Sequence, residues 1–142
     1  MINGVILSKL QVLDEMLNQI RTLKGVTVAQ LDQDWKTKHA IERVLQVLTE
    51  IVIDLCQRII SLNNQSPATT GADAVARCVQ LGTLSSADPY RKMVQFRNFI
   101  VHRYERIDNS ILVDIVNNRL PDFEQFRSEV MHYVTNRLEP TE

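Results

Sequence analysis

Apolar residues recur every three or four positions along nearly the whole chain, the spacing of one face of an α-helix. In the first segment the stripe is Ile6, Leu10, Leu13, Leu17 and Ile20, which predicts a helix over 3–24. Gly25 closes it as a C-terminal cap. A short helical piece over 28–31 leads into a long helix over 34–62 with the stripe Trp35, Ile41, Val44, Leu45, Leu48, Ile51, Val52, Leu55 and Ile59. Ile53, Cys56 and Ile60 add a second apolar side to its C-terminal half, so that half is expected to be covered on both faces. No stretch shows the strict alternation of a half-buried strand.

The segment NNQSPATTG, 63–71, concentrates Pro, Gly and small hydroxyl residues and reads as a loop too short to separate domains. A short helix is expected over 72–81, ending at Gly82. In SSADPYRK, Ser86 or Asp88 supplies a cap and Pro89 stands at the first helical position, a strong start signal. The last segment keeps one apolar phase through Leu112, Ile115, Val116, Leu120, Phe123, Phe126, Val130 and Val134. Pro121 interrupts that phase and predicts a kink or a split. The fold class that follows is all-α: an antiparallel up-and-down bundle of four main helices plus a short one, a single domain over 1–142. A chain of 142 residues can enclose such a core without disulfides or metal.

Charge and composition narrow the function classes. With 16 basic and 17 acidic residues the net charge is −1, so no global field favours nucleic acid or an anionic membrane. Cys56 and Cys78, far apart and set among apolar residues, suit buried reduced thiols. The opening MINGVILSKLQVLDEML soon brings in Lys9, Asp14 and Glu15, which fits neither a signal peptide nor a membrane span; a cytoplasmic protein with no membrane partner is expected. His39, His102 and His132 are scattered, with no HExxH and no Cys/His cluster, so neither metal nor cofactor is expected. Phosphate-loop and nucleophile-elbow signatures are absent from the sequence as well.

One helix carries an anomaly. At 100° per residue, Tyr90, Met93, Val94, Ile100, Val101 and Tyr104 fall within about 60° of Arg97, which places a guanidinium at the centre of the apolar face. Burying it unpaired costs several kcal/mol, so a carboxylate, a phosphate or a water-filled groove must stand opposite. Glu50 or Asp54 on the long helix could supply a structural ion pair. His102 lies about 140° round from Arg97 and about 7.5 Å further along. The two can meet only if the arginine reaches round, the helix loosens, or two subunits combine; His102 could equally be a surface residue without a role. Between Pro89 and Ile107, five basic residues (Arg91, Lys92, Arg97, Arg103, Arg106) face one acid, Glu105, a local +4 that leaves −5 for the rest of the chain. Such a strip suits phosphate recognition, with Tyr90, Phe96, Phe99 and Tyr104 interleaved as stacking candidates, or simply solvates an outer face.

The run RNFIVHRY has the form Arg, four residues, His, one residue, Tyr, and it resembles the signature of HEPN-domain ribonucleases of the HepT-like toxin group. DWKTKHAIERVLQVLTEIVIDLCQRII is similar to that group's central helix, GTLSSADPYRKMVQFRNFIVHRYERID to its motif helix, and IVNNRLPDFEQF to its final segment. Pro121 does not fit the pattern, though it bears on the last helix rather than on the motif. The resemblance implies a HEPN-like, metal-independent endoribonuclease toxin that acts on RNA as a homodimer. It also implies a cognate nucleotidyltransferase antitoxin of the MntA type, which neutralises the toxin by transferring AMP to the motif tyrosine. Carried to this chain, Arg97 and His102 would be catalytic, Asn98 would support the site, and Tyr104 would accept AMP. Arg91, Lys92, Arg103 and Arg106 are the candidates for binding RNA. The alternative is a non-catalytic helical dimer that binds nucleotide or recruits a nucleotidyltransferase.

Overall fold

The computed structural model describes residues 2–102 and 107–138. Among these every regular element is helical: α1 (Ile2–Arg21), α2 (Val28–Gln33), α3 (Trp35–Leu62), α4 (Gly71–Gln80), α5 (Asp88–His102), α6 (Asn109–Asp114) and α7 (Leu120–Tyr133). A π-helical turn, Ile115–Arg119, joins α6 to α7, and a second, Val134–Leu138, follows α7. The four long helices and short α4 are the expected bundle; α6 and α7 are the two pieces into which the last segment splits. No helix among the described residues is long and apolar enough to cross a membrane.

The stripes read from the sequence form the core. Ile6, Leu10, Leu13, Leu17 and Ile20 of α1 are buried, as are Ile41, Leu45, Leu48, Val52, Leu55 and Ile59 of α3. Cys56 and Ile60, on the other side of α3, are buried too, because α1, α4 and α5 all pack against this helix. The two cysteines are free and buried, and the Cys78 thiol donates to the Cys56 carbonyl at 3.4 Å.

Trp35 departs from the expectation: it is 66% exposed. The reason is angular, since Trp35 lies about 120° from Ile41 and about 100° from the centre of the buried stripe of α3. Asp34 fixes where α3 begins; its carboxylate accepts from the backbone N–H of Lys36 and Thr37 and from the Thr37 hydroxyl. These bonds hold the Asp34 carboxyl below the usual carboxylate range.

α1 ends at Arg21, earlier than Gly25, and Gly25 instead closes the following turn at φ +95°, a left-handed conformation that favours glycine. Its N–H donates to the Asn117 side-chain oxygen at 2.6 Å, while the Asn117 amide donates to the Val26 carbonyl at 3.0 Å. Asn117 stands in the π turn ahead of Pro121, where the extra residue per turn relieves the clash between the proline ring and the carbonyl four residues back.

α3 and α5 run antiparallel. Lys38 Nζ donates to the Ile107 carbonyl at 2.8 Å, Glu50 stands beside Arg97, and Gly71 at the start of α4 is wedged against Ile53 and Val94. A Cβ on Gly71 would approach Val94 Cγ1 to 2.9 Å. The motif end of α5 is thereby set beside the N-terminal half of α3.

Candidate functional site

α5 begins at Asp88, with Pro89 in its first turn as the start signal requires. Its N-terminal half is bolted to α7. Tyr90 is fully buried, its ring edge-on to Phe126 with centroids 5.4 Å apart, and its hydroxyl donates to Glu129 Oε1 at 3.1 Å. Glu129 also accepts from the Ser85 hydroxyl at 2.6 Å, so one carboxylate ties both the preceding loop and the first turn of α5 to α7. Burial, followed by the negative charge of Glu129, pushes the Tyr90 phenol well above its ordinary value. Tyr90 is therefore part of the core and not a stacking surface, which corrects that expectation.

The C-terminal half rises out of the core. Met93 and Val94 are buried, Phe96, Arg97, Phe99 and Ile100 are half-buried, and Asn98 and Val101 are exposed. Arg97 shares the apolar face in phase but is not enclosed; 31% of its side chain meets solvent. Its Nη1 donates to Asn98 Oδ1 at 3.1 Å, and its Nε lies 3.9 Å from Glu50 Oε2. That distance is an ion pair without a hydrogen bond, and the buried Nε has no hydrogen-bond partner among the described residues. Glu50 accepts from Gln46 at 3.2 Å, whereas Asp54, the other candidate carboxylate, pairs with Lys9 at 3.5 Å. The interior thus supplies a counter-charge to Arg97 but does not saturate it.

Helix α5 is continuous through His102, so no loosening between Arg97 and His102 brings the two together. The His102 side chain, together with Arg103, Tyr104 and Arg106, lies outside what the structure describes. Of the other basic candidates, Arg91 and Lys92 are exposed, and Arg91 Nη1 is 3.7 Å from Asp88. Lys92, Phe96 and Phe99 line a cleft of about 330 Å³ against α6 and α7. No group of three or more His, Cys, Asp or Glu that could hold a metal occurs among the described residues. Sequence reasoning missed the role of Glu129, because its link to Tyr90 spans 39 positions and follows no local pattern.

Residues 13–130 match the family described as ribonuclease HepT-like, a span that includes α3, the whole motif and Glu129. The chain belongs to the ribonuclease HepT-like family. The mRNA nuclease HepT of Shewanella oneidensis is 29% identical to this HepT-like chain over 126 residues, covering 87% of this chain and 94% of the relative. The fold is similar, with a TM-score of 0.83 and 26% identity, to the tri-AMPylated Shewanella oneidensis HEPN toxin solved in complex with MNT antitoxin, over 92% of this chain and 98% of that one. A toxin–antitoxin crystal structure with AMP-PNP contains a chain that matches at TM-score 0.82 and 25% identity, covering 92% of this chain and 99% of the other. The HepT-like assignment carries the coarse function, a nuclease toxin of the HEPN type with an all-α fold.

Proposed function

We propose that this HepT-like chain is the toxin of a toxin–antitoxin pair: a metal-independent endoribonuclease whose groove forms between two copies of the chain. The observation that carries this reading is the state of Arg97. A continuous helix holds it half-exposed, Asn98 accepts from it, and its Nε has no hydrogen-bond partner among the described residues.

Cleavage without a metal needs three services. The RNA 2'-oxygen attacks the adjacent phosphorus while a base takes its proton; the bond from phosphorus to the 5'-oxygen breaks while an acid protonates the leaving oxygen; a cation stabilises the crowded phosphate. Arg97 is the cation. His102 of one copy is the base and His102 of the other is the acid, so neither imidazole performs both roles at once. The continuous helix between Arg97 and His102 supports this division, because a shared groove lets groups from different copies converge. Products carry 2',3'-cyclic phosphate and 5'-hydroxyl ends.

Regulation is proposed at Tyr104. A nucleotidyltransferase antitoxin of the MNT (MntA) type transfers AMP from ATP to the phenol, forming a P–O bond as pyrophosphate leaves. The related Shewanella oneidensis HEPN toxin is tri-AMPylated in complex with its MNT antitoxin. Bulk and negative charge added seven residues after Arg97 would repel an RNA strand from the same groove.

Purified protein is expected to cut single-stranded RNA in EDTA, and His102→Ala is expected to abolish cutting with the helical circular dichroism intact. Metal-dependent cutting would overturn the mechanism, and equal cutting by wild type and His102→Ala would favour a non-catalytic recruiting dimer. After co-expression with the antitoxin, intact mass should show AMP-sized increments that disappear in Tyr104→Phe.

A further inference from the structure

Trp35 is the sole tryptophan of the chain, and two-thirds of it faces solvent. The His39 ring meets it edge-on, with centroids 5.9 Å apart and planes at 68°, and Lys36 Nζ stands 5.7 Å from its centroid. Such a ring offers a flat apolar face with a polar edge, the shape that stacks on another π system. Its surroundings are polar: Gln33, Asp34, Lys36 and His39 are all exposed. A subunit interface would surround such a ring with further apolar area. An aromatic ring with a lysine ammonium over it and an imidazole at its edge instead matches an unpaired base and the phosphate beside it.

Position links this ring to the motif. At 100° per residue Trp35, His39, Glu42, Gln46 and Glu50 share one side of α3, and Glu50 is the residue beside Arg97. Lys36 and Arg43, seven residues apart, flank that side. The nearby acids are engaged: Asp34 caps α3, and Glu42 Oε1 is 3.0 Å from His39 Nδ1. Because α5 runs antiparallel to α3, His102 lies beyond Arg97 in the direction of Trp35. Helical rise puts the ring about 15 Å from the level of His102 along the axis, within a few nucleotides of strand.

We propose that Trp35, with Lys36 and His39, is a stacking platform for an unpaired base of the RNA substrate, a few nucleotides from the scissile phosphate. It rests on the nuclease reading but is read out separately. The His102→Ala protein is titrated with a short single-stranded RNA of mixed sequence, and with the same RNA annealed to its complement, while the fluorescence of Trp35 is followed. Saturable quenching by the single strand, weaker with the duplex, is expected. In steady-state cleavage, Trp35→Ala should raise KM about tenfold and leave kcat within about twofold, and Trp35→Phe should recover most of the loss. RNA binding without quenching, or an unchanged KM in Trp35→Ala, overturns the platform. Dissociation of Trp35→Ala into monomers by light scattering overturns it as well, making the occupant a second copy of the chain. Quenching by RNA in a protein whose wild type cuts nothing would sink the nuclease reading and leave the platform standing.

Discussion

The two halves of α5 obey the same helical periodicity and end in opposite situations. The N-terminal half presents Tyr90, Met93 and Val94 to a closed interior, with Tyr90 locked between Phe126 and Glu129. The C-terminal half presents Arg97, Ile100 and Val101 in the same phase, yet Arg97 is half-exposed and Val101 is 40% exposed. One half is an anchor and the other is a platform held out from it. A reactive group needs both, because a side chain on a rigid element loses little freedom when it meets a substrate.

The largest effect should come from breaking the anchor. Phe126→Ala removes a fully buried ring and its edge contact with Tyr90, and should cost about 3–5 kcal/mol in chemical denaturation. Loss of the same size from an exposed site of α5 would erase the distinction between the halves. Arg97→Ala should reverse the pattern. Cleavage is expected to fall by about 10²–10³-fold, the scale seen for loss of one transition-state charge partner. Stability should drop by less than about 1 kcal/mol, as for a partly exposed pair. If Arg97→Ala unfolds the protein instead, the pair with Glu50 is structural and the C-terminal half is an anchor too.

Two smaller effects sharpen the contrast. Tyr90→Phe removes one hydrogen bond to Glu129 and should cost about 1 kcal/mol at neutral pH. Its pH dependence carries a sign. The buried phenol ionises above its ordinary value of 10.0, so the native state keeps the proton longer than the unfolded chain does. Its contribution is intact below that value and falls as pH rises past it. Thermal melts above pH 10.0 should decline less steeply in Tyr90→Phe than in wild type. Glu50→Gln should have the smallest effect, below about 1 kcal/mol, because the pair is long and both partners meet solvent. A large loss there would mean that the carboxylate holds Arg97 for the fold.

Much of this was legible in the residues. The phases of α1, α3 and α7 identified the core, Pro89 marked the start of α5, and Pro121 marked the split of the last segment, because each depends on local geometry alone. The order Arg97, His102, Tyr104 pointed to the family, and the match over 13–130 shows it. Trp35 was misplaced although its angle was available, because its phase puts it outside the stripe.

What the sequence determined by itself is which residues share a face, since 3.6 residues per turn is a property of the backbone. Only the tertiary structure decided how far neighbouring helices extend over that face. It buried Tyr90 and left Arg97 at the rim, chose Glu50 over Asp54 as the counter-charge, and joined Ser85 and Tyr90 through Glu129. Those outcomes depend on where helices distant in sequence come to lie, and periodicity along one helix carries no information about that.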